Sequence, residues 1–321
     1  MSIAVLCSGG DCAGMNPAVK KFVDYSFDLG LQPYLVYDGL EGLIDGNIVK
    51  ATHEDVAGIM HQGGTKLRSS RSKRFFEPSF RKKAYDNIKS HGIDKLVVLG
   101  GDGSFRALDI FSKEYKLSFM GIPSTIDNDI FGTEYCLGVD TALNVIRNAT
   151  DQLRDTSASF KRGCVVETMG RDCGYLALVS ALTCGAEVCL IPEASYDLDA
   201  LSKRLHDELQ NGRRYVIAVV AEGLGVTDEV KQWLEKEIGI ESRATILGHI
   251  QRGGNPTVFD RLMATEFMTY AIDKLQSESF VQKVVVYNNS QFDYQDIEYV
   301  TSQKYSIKPE LLKMGQKMFG I

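Results

Sequence analysis

Strand-like apolar runs alternate with helical patterns along almost the whole sequence, and several runs end in glycine-rich or acidic loops. The predicted strands are 3–7, 34–37, 95–99, 119–122, 162–167, 188–191 and 216–220. Alternation of this kind predicts parallel sheets with helices on both faces, because parallel strands need a crossover connection. Ligands of such sheets bind beyond the carboxyl ends of the strands, so the loops there are the candidate sites.

Composition and charge narrow the class of protein further. A chain of 321 residues, 44% hydrophobic and 24% charged, is long enough for two α/β domains. Its net charge of −6 disfavours nucleic-acid binding. We find no apolar run long enough for a membrane span and no signal-peptide pattern. Seven cysteines without a Cys-x-x-Cys pair favour a reducing cytoplasm and give no support for a zinc site. We therefore expect a cytoplasmic protein.

The stretch 123–129 follows a predicted buried strand and contains two carboxylates, Asp127 and Asp129, on either side of Asn128. An Asp/Asn-rich turn is the usual fate of such a cluster. Alternate residues at a strand end share one face, so the two carboxylates are also predicted to converge on a substrate. One would accept a proton from a hydroxyl while the other helps to hold a divalent cation.

Two glycine-rich loops follow predicted strands, at 8–14 and 100–104. Backbone N–H groups in such loops bind anions, although glycine turns also serve packing alone. Neither loop has the Walker lysine or the complete dinucleotide fingerprint. Asp102 within the second loop would repel a phosphate unless a cation bridged them, which favours a nucleotide phosphate with Mg²⁺.

The segment 66–83 contains eight basic residues and one acid. A solvated charged face is the ordinary explanation. The alternative is that Arg71, after two glycines and two serines, clamps a phosphoryl group. Further along, 169–171 and Glu222 end two predicted strands, and 248–254 is rich in glycine around His249 and Arg252. Arginines of this kind suit bidentate phosphate recognition, although His249 alone is more typical of a structural histidine.

Taken together, these motifs resemble the bacterial-type 6-phosphofructokinase family over essentially the whole chain. The resemblance rests on 9–11, 14–16, 100–104, 125–129, 169–171 and 248–254. It implies transfer of the ATP γ-phosphoryl group to the 1-hydroxyl of fructose 6-phosphate, with Mg²⁺ as the metal and ATP as co-substrate.

The resemblance also implies a role for each matching residue. The implied catalytic residues are Asp127 as base, Thr125, Arg171 and Arg71. The implied sugar-phosphate residues are Asp129, Arg162, Met169, Gly170, Glu222, Arg243, His249 and Arg252, of which Arg162 and Arg243 reach a neighbouring subunit's substrate. The implied ATP residues are Gly10, Arg71, Gly101, Asp102, Gly103 and Ser104. Asp102 and Asp129 are the implied metal residues.

The resemblance further implies a fold of two doubly wound α/β domains with mainly parallel sheets and an active-site cleft between them. The nucleotide-binding domain would comprise 1–138 plus 251–305, and the sugar-phosphate domain 139–250 plus 306–321. Because the site is shared between subunits, the active form would be a homo-oligomer, with a homotetramer as the typical family assembly.

Two departures from the family pattern concern the phosphoryl donor. Ser124 stands where ATP users usually have glycine and pyrophosphate users lysine, whereas Gly103 matches ATP users. We favour ATP and keep a pyrophosphate-dependent enzyme as the alternative, with a non-catalytic regulatory subunit as a third hypothesis. NAD or lipid kinases share only the loop at 100–104. Leu40 and Ala107 leave the preference for the nucleotide base open.

The effector site of allosteric relatives is only partly matched. Lys20, Asp24 and His53 occupy positions where bacterial members activated by ADP and inhibited by phosphoenolpyruvate usually have arginine, and Asn211 replaces a lysine. Residues that remain as possible effector contacts are Lys20, Arg154, Glu187 and Arg213. The hypothesis is weak or absent regulation by these effectors, because Asp24 would repel an anion.

Overall fold

The computed structural model describes residues 1–320 and divides the chain into two compact units. Unit 1 comprises Met1–Thr141 and Arg252–Tyr305, and unit 2 comprises Ala142–Gln251 and Ser306–Ile321. The nucleotide-binding and sugar-phosphate labels, the exact predicted boundaries and the cleft remain predictions.

Unit 1 contains a seven-stranded sheet in the order β11-β10-β5-β4-β1-β2-β3. Its strands are β1 (Ser2–Cys7), β2 (Gln32–Val36), β3 (Ile48–Lys50), β4 (Lys95–Gly100), β5 (Ser118–Pro123), β10 (Gln282–Asn288) and β11 (Gln291–Asp296). The strands from β10 to β2 pair in parallel, and the edge strands β3 and β11 are antiparallel to their neighbours. The central strand β4 is buried along its whole length, which explains its continuous apolar sequence.

The helices of unit 1 cover this sheet, and α1 packs against α9. They are α1 (Met15–Asp28), α2 (Gly39–Asp45), α3 (Pro78–Ser90), α4 (Asp102–Tyr115), α9 (Val258–Ser277) and α10 (Ile297–Ser302). Helix α4 begins directly after β4, so its first turn presents unpaired N–H groups at the carboxyl edge of the sheet. A 3₁₀ turn spans Glu54–Val56.

Unit 2 contains a four-stranded parallel sheet in the order β7-β8-β6-β9. Its strands are β6 (Gly163–Thr168), β7 (Val188–Leu190), β8 (Val216–Ala221) and β9 (Ser242–Ile246). Its helices are α5 (Val139–Phe160, whose first three residues belong to unit 1), α6 (Tyr175–Cys184), α7 (Leu198–Gln210), α8 (Thr227–Lys236) and α11 (Pro309–Phe319). The only tryptophan, Trp233 on α8, is buried and its indole N–H donates to Ser202 Oγ at 2.9 Å.

Candidate active site

Three loops meet at the carboxyl edge of the unit 1 sheet, because β1, β4 and β5 are adjacent and parallel. The Ser8 N–H donates to the Leu99 carbonyl at 2.8 Å, and the Ser124 N–H donates to the Gly100 carbonyl at 3.0 Å. These hydrogen bonds extend the strand pairing beyond the strands. The two glycine-rich loops and the loop with Asp127 therefore lie side by side, as parallel pairing predicts.

The two glycine-rich loops are also joined by their side chains. Ser104 Oγ donates to Ser8 Oγ at 2.8 Å, and both residues are buried. Thr125 lies next to the second loop, since a Cβ added at Gly101 would be 3.6 Å from the Thr125 Cβ. At Gly103 an added Cβ would meet no atom within 4 Å. The N-terminus of α4 thus faces open space at this position, which suits an anion.

The acidic stretch forms a turn that its own asparagine stabilises. Asn128 has a left-handed conformation (φ 52°), its Nδ2 donates to the Glu134 carbonyl at 3.1 Å, and its Oδ1 accepts from the Cys136 N–H at 2.9 Å. Strand β5 ends at Pro123, so the expected strand-like alternation of Asp127 and Asp129 is wrong. A hydrogen-bonded turn holds the two carboxylates instead, and Asp127 is 2% exposed.

Asp102 is the first residue of α4 and forms an ion pair that the sequence analysis missed. Arg106 Nε donates to Asp102 Oδ2 at 2.7 Å, and the two side chains are 52% and 36% exposed. Their four-residue spacing on a helix was the available signal. The Asp102 carboxylate raises the pKa of Arg106 through this hydrogen bond.

A Mg²⁺ ion fits this edge as a partner of nucleotide phosphates rather than in a closed protein cage. Among residues 1–320, no group of three or more His, Cys, Asp or Glu side chains is arranged to hold a metal. Mg²⁺ usually keeps several waters and takes one or two carboxylates plus phosphate oxygens. Asp102 and Asp129 follow the adjacent strands β4 and β5 and offer that number of carboxylates.

Four of the eight cations of the basic segment 66–83 form ion pairs. Arg68 pairs with Asp38, Arg74 with Glu41 and Asp45, Arg81 with Glu114, and Lys82 with Asp86. Arg71 is exposed, and its side chain makes no hydrogen bond or ion pair within the described chain. Its loop contacts the first glycine loop, because Ser69 Oγ donates to the Gly9 carbonyl at 2.8 Å and the Gly9 N–H donates to the Ser70 carbonyl at 3.2 Å.

Arg252 also reaches the first glycine loop. A Cβ added at Gly10 would be 3.5 Å from the Arg252 Cζ, so the guanidinium lies directly against the Gly10 backbone. Unit 1 therefore brings together the predicted residues that follow its strands and this arginine. These are Gly10, Gly101, Asp102, Gly103, Ser104, Thr125, Asp127, Asp129 and Arg252.

In unit 2, Met169, Gly170 and Arg171 form a strained loop after β6. Gly170 has φ 141°, and a Cβ there would collide with the Cys173 carbonyl, so only glycine fits. Glu222 Oε1, after β8, accepts hydrogen bonds from the N–H groups of Gly170 (3.2 Å) and Arg171 (2.9 Å). One carboxylate oxygen of Glu222 therefore shapes this loop.

Gln251 is a second residue that the sequence analysis missed. Its side chain is 1% exposed, its Oε1 accepts from the Met169 N–H at 3.1 Å, and its Nε2 donates to the Gly248 carbonyl at 3.0 Å. It fixes the loop after β9 against the loop after β6. His249 in this loop is exposed and has no ring hydrogen bond within the described chain, unlike a structural histidine.

Arg162 and Arg243 lie at the opposite end of the unit 2 sheet. Arg162 precedes β6 and Arg243 is the second residue of β9, whereas Met169 follows the last residue of β6. Six strand residues span about 20 Å. Both arginines pair with Glu241, at 3.1 Å and 2.6 Å. The two arginines therefore lie near each other, at the end of the sheet away from the Met169–Arg171 loop.

The possible effector residues are engaged within the chain. Asp24 pairs with Lys20 at 2.7 Å and with His53 Nδ1 at 3.1 Å. Burial alone would raise the pKa of Asp24, but the hydrogen bonds from Lys20 and His53 outweigh it and lower this pKa. In unit 2, Arg213 pairs with Glu187 and with Glu208 (2.7 Å).

Arg154 in unit 2 donates to the Cys184 carbonyl. All seven cysteines are buried, and burial raises the pKa of the Cys12 thiol well above its ordinary value. A thiol with so high a pKa is a packing group rather than a nucleophile. None of the helices within residues 1–320 combines the length and apolar character that a membrane span needs.

Residues 2–275 match the sequence profile of the family described as phosphofructokinase. The chain belongs to the phosphofructokinase family. It is 56% identical over 317 residues to the ATP-dependent 6-phosphofructokinase of Sulfurimonas denitrificans, covering 98% of this chain and 99% of that protein. It is 54% identical over 319 residues to the protein of the same name from Wolinella succinogenes, covering 99% of both chains.

Among solved structures, the chain resembles phosphofructokinase from Saccharomyces cerevisiae, with a TM-score of 0.90 and 33% identity. The match covers 94% of this chain and 45% of the yeast chain. The predicted family is therefore confirmed, and so is a fold of α/β units with mainly parallel sheets. The roles of individual residues stay predictions.

Proposed function

We propose that this chain transfers the γ-phosphoryl group of ATP to the 1-hydroxyl of fructose 6-phosphate, giving ADP and fructose 1,6-bisphosphate. The observation that carries the proposal is the arrangement of loops at the carboxyl edge of the unit 1 sheet, in a chain that belongs to the phosphofructokinase family. There a buried carboxylate turn lies beside two glycine-rich loops. Phosphoryl transfer needs positioning and charge stabilisation more than covalent chemistry, and this edge offers both.

In the proposed reaction, Asp127 accepts the proton of the sugar 1-hydroxyl as that oxygen bonds to the γ-phosphorus. The bond from the γ-phosphorus to the bridging oxygen breaks, and ADP leaves. Thr125, next to Gly101, donates a hydrogen bond to the transferring group. Arg71 and Arg171 offset its negative charge. Fixed donors and cations of this kind stabilise the charge that develops in the transition state.

Gly10, Gly101 and Gly103 are proposed to bind the phosphates of ATP through backbone N–H groups. Ser104 is proposed to line the same site, while its hydroxyl joins the two glycine-rich loops through Ser8. Asp102 and Asp129 would hold Mg²⁺, which supplies neutralisation of phosphate charge when bound. Arg106 then acts on Asp102 as a competing cation, because its guanidinium occupies one carboxylate oxygen at 2.7 Å.

For the sugar phosphate we propose Met169, Gly170, Glu222, His249 and Arg252, together with Asp129. Arg162 and Arg243 are proposed to bind the 6-phosphate of a neighbouring subunit's substrate. This assignment is supported by their position at the end of the unit 2 sheet opposite to the loops after β6 and β9. Activity would then require a homo-oligomer, for which a homotetramer is proposed, and the cytoplasm remains the predicted location.

The pyrophosphate-dependent alternative is less well supported. Ser124, the residue that departs from the ATP pattern, is 1% exposed, and its hydroxyl donates to the Ile122 carbonyl at 3.0 Å. The hydroxyl is therefore directed into the strand end rather than toward the donor. Gly103 leaves open space where a larger residue would crowd an α-phosphate. ATP is favoured on both grounds.

The test is formation of fructose 1,6-bisphosphate from fructose 6-phosphate and Mg²⁺, with ATP or pyrophosphate supplied separately. We expect turnover with ATP only. Turnover with pyrophosphate alone would establish the alternative donor, and no turnover with either would favour the regulatory subunit.

We further propose that ADP and phosphoenolpyruvate regulate this enzyme weakly or not at all. Asp24 already takes Lys20 and His53 as partners, so little cationic charge remains there for an anion. We expect 1 mM of either effector to change the half-saturating fructose 6-phosphate concentration by less than about fivefold, the lower limit of typical allosteric coupling.

The control for this regulation assay is a bacterial relative with arginine at the positions of Lys20, Asp24 and His53. A sigmoidal substrate response in this chain that sub-millimolar ADP makes hyperbolic would contradict the proposal. Such a result would mean that Lys20 and Arg213 suffice for an effector site.

A further inference from the structure

Asp260 is a fully buried carboxylate in unit 1 that the proposed reaction does not use. It lies in the first turn of α9 and accepts four hydrogen bonds. The donors are Tyr135 Oη (2.6 Å), Gly138 N (2.7 Å), Thr141 N (2.8 Å) and Thr141 Oγ1 (2.5 Å). All four donors belong to one segment, 135–141, more than one hundred residues away in sequence. The carboxylate therefore joins the start of α9 to this segment.

The start of α9 differs from an ordinary capping box because the N-cap residue also bonds to the segment 135–141. Thr257 is the N-cap, and its Oγ1 accepts from the Asp260 N–H at 3.2 Å. In a capping box the side chain of the third helical residue returns to the N-cap N–H. Here the Thr257 N–H donates to Thr141 Oγ1 at 3.1 Å, and Thr257 Oγ1 donates to Asp140 at 2.5 Å. The backbone N–H and the side chain of Thr257 therefore both bond the N-terminus of α9 to the segment 135–141.

The start of the segment 135–141, with the preceding Glu134, also supports the turn that contains Asp127 and Asp129. Asn128, between Asp127 and Asp129, bonds through both of its side-chain atoms to the backbone of Glu134 and Cys136. Tyr135 lies between these two residues, and its hydroxyl bonds to Asp260. Both residues that support the acidic turn are therefore direct chain neighbours of Tyr135, which Asp260 holds.

The other side of the network leads to the proposed sugar-phosphate residue Arg252. Arg252 lies five residues before Thr257, and its guanidinium is against Gly10 in the first glycine loop. Because this connection is short, the position of the first turn of α9 restricts where Arg252 can lie. Asp260 thus joins a segment that supports the acidic turn to a helix that follows Arg252, all within unit 1.

We propose that Asp260 is a positioning residue for the phosphoryl transfer, holding the turn with Asp127 and Asp129 in register with Arg252. This proposal rests on the proposed function. Hydrogen bonds to a carboxylate are stronger than those between neutral groups, and a buried donor that loses its acceptor is costly. Loss of the carboxylate would leave several donors of 135–141 without an acceptor and would allow the acidic turn to shift.

The experiment compares Asp260→Asn and Thr141→Val with wild type in the assay with ATP. The first variant replaces an acceptor oxygen by an NH₂ group, and the second removes one hydroxyl with little change of shape. A displacement of about 1 Å can lower rates by about a hundredfold. We expect kcat to fall by roughly that factor in Asp260→Asn and by roughly tenfold in Thr141→Val, with KM for ATP nearly unchanged.

Two further variants separate positioning from folding. Thr141→Ser keeps the hydroxyl and should restore kcat to near the wild-type value. Glu114→Gln weakens the ion pair between Arg81 and Glu114. The Arg81 guanidinium is also buried in unit 1, but neither residue has a proposed role in the reaction. This substitution should lower the unfolding temperature without lowering kcat. If Asp260→Asn does not fold, the Thr141 pair decides alone.

Unchanged kcat in folded Asp260→Asn and Thr141→Val, with wild type active, would overturn the positioning role and leave the proposed function intact. The role would also fall if Thr141→Ser lost as much kcat as Thr141→Val. A wild-type enzyme that is inactive with ATP and with pyrophosphate would instead overturn the proposed function, and the positioning role with it.

Discussion

Replacing Asp127 by asparagine is expected to lower kcat by roughly a thousandfold, within the range of effects usual for a general base. The amide has nearly the shape of the carboxylate but cannot accept the proton of the 1-hydroxyl at neutral pH. Asp127 is 2% exposed and lies in a turn that Asn128 stabilises, so the exchange should leave the backbone in place. The measurements are kcat, KM for both substrates and the thermal unfolding curve.

The matched control for this variant is Asp94→Asn. Asp94 lies just before β4, at the end of the sheet opposite to Asp127, and accepts a hydrogen bond from the Ser2 N–H at 2.8 Å. Its kcat should remain close to that of wild type. A folded Asp127→Asn enzyme that kept more than about a tenth of the wild-type kcat would contradict the assignment of Asp127 as base.

Replacing Gly103 by aspartate should abolish efficient use of ATP without loss of folding. A carboxylate about 4 Å from a phosphate charge costs about 4 kcal/mol at an effective dielectric constant of about 20. Since about 1.4 kcal/mol is a factor of ten, kcat/KM for ATP should fall by up to roughly a thousandfold. An added Cβ meets no atom within 4 Å, and an acid in the first turn of α4 is favourable for the helix. Because folding is not expected to suffer, the fall in kcat/KM should appear as a higher KM for ATP.

The control for the donor prediction is Ser124→Gly, which should change the use of ATP little because the serine hydroxyl bonds to the Ile122 carbonyl. The half-saturating fructose 6-phosphate concentration at saturating ATP should stay near the wild-type value in both variants. If Gly103→Asp left KM for ATP unchanged, the second glycine loop would not be the phosphate site. A comparable defect toward fructose 6-phosphate would indicate general damage instead.

The strands at the centre of each sheet were predictable because their signals are local. Continuous apolar runs ending in glycine, such as β4, and buried runs such as β8 can be recognised without knowledge of their neighbours. No strand is predicted from the sequence at β3, β9, β10 or β11. Strand β9 is largely exposed and β11 is mostly polar, so edge pairing rather than apolar content makes them strands.

The sequence by itself determined which loops follow strands of a parallel sheet and which chemical groups they contain. These are the glycines and Asp102 after β4, and the two carboxylates after β5. It also identified the family, because six ordered motifs extend over the chain. Local order along the chain suffices for such conclusions, since parallel strands bring their carboxyl ends to one edge.

Only the tertiary structure decided how individual side chains are used. It showed that Arg68, Arg74 and Arg81 are ion-paired while Arg71 is exposed, and that a turn rather than strand alternation holds the acidic stretch. It also revealed Asp260. The physical reason is distance along the chain: Asp38 lies 30 residues from Arg68, and Tyr135 lies 125 residues from Asp260. Partners so far apart are brought together only by packing, which no local pattern encodes.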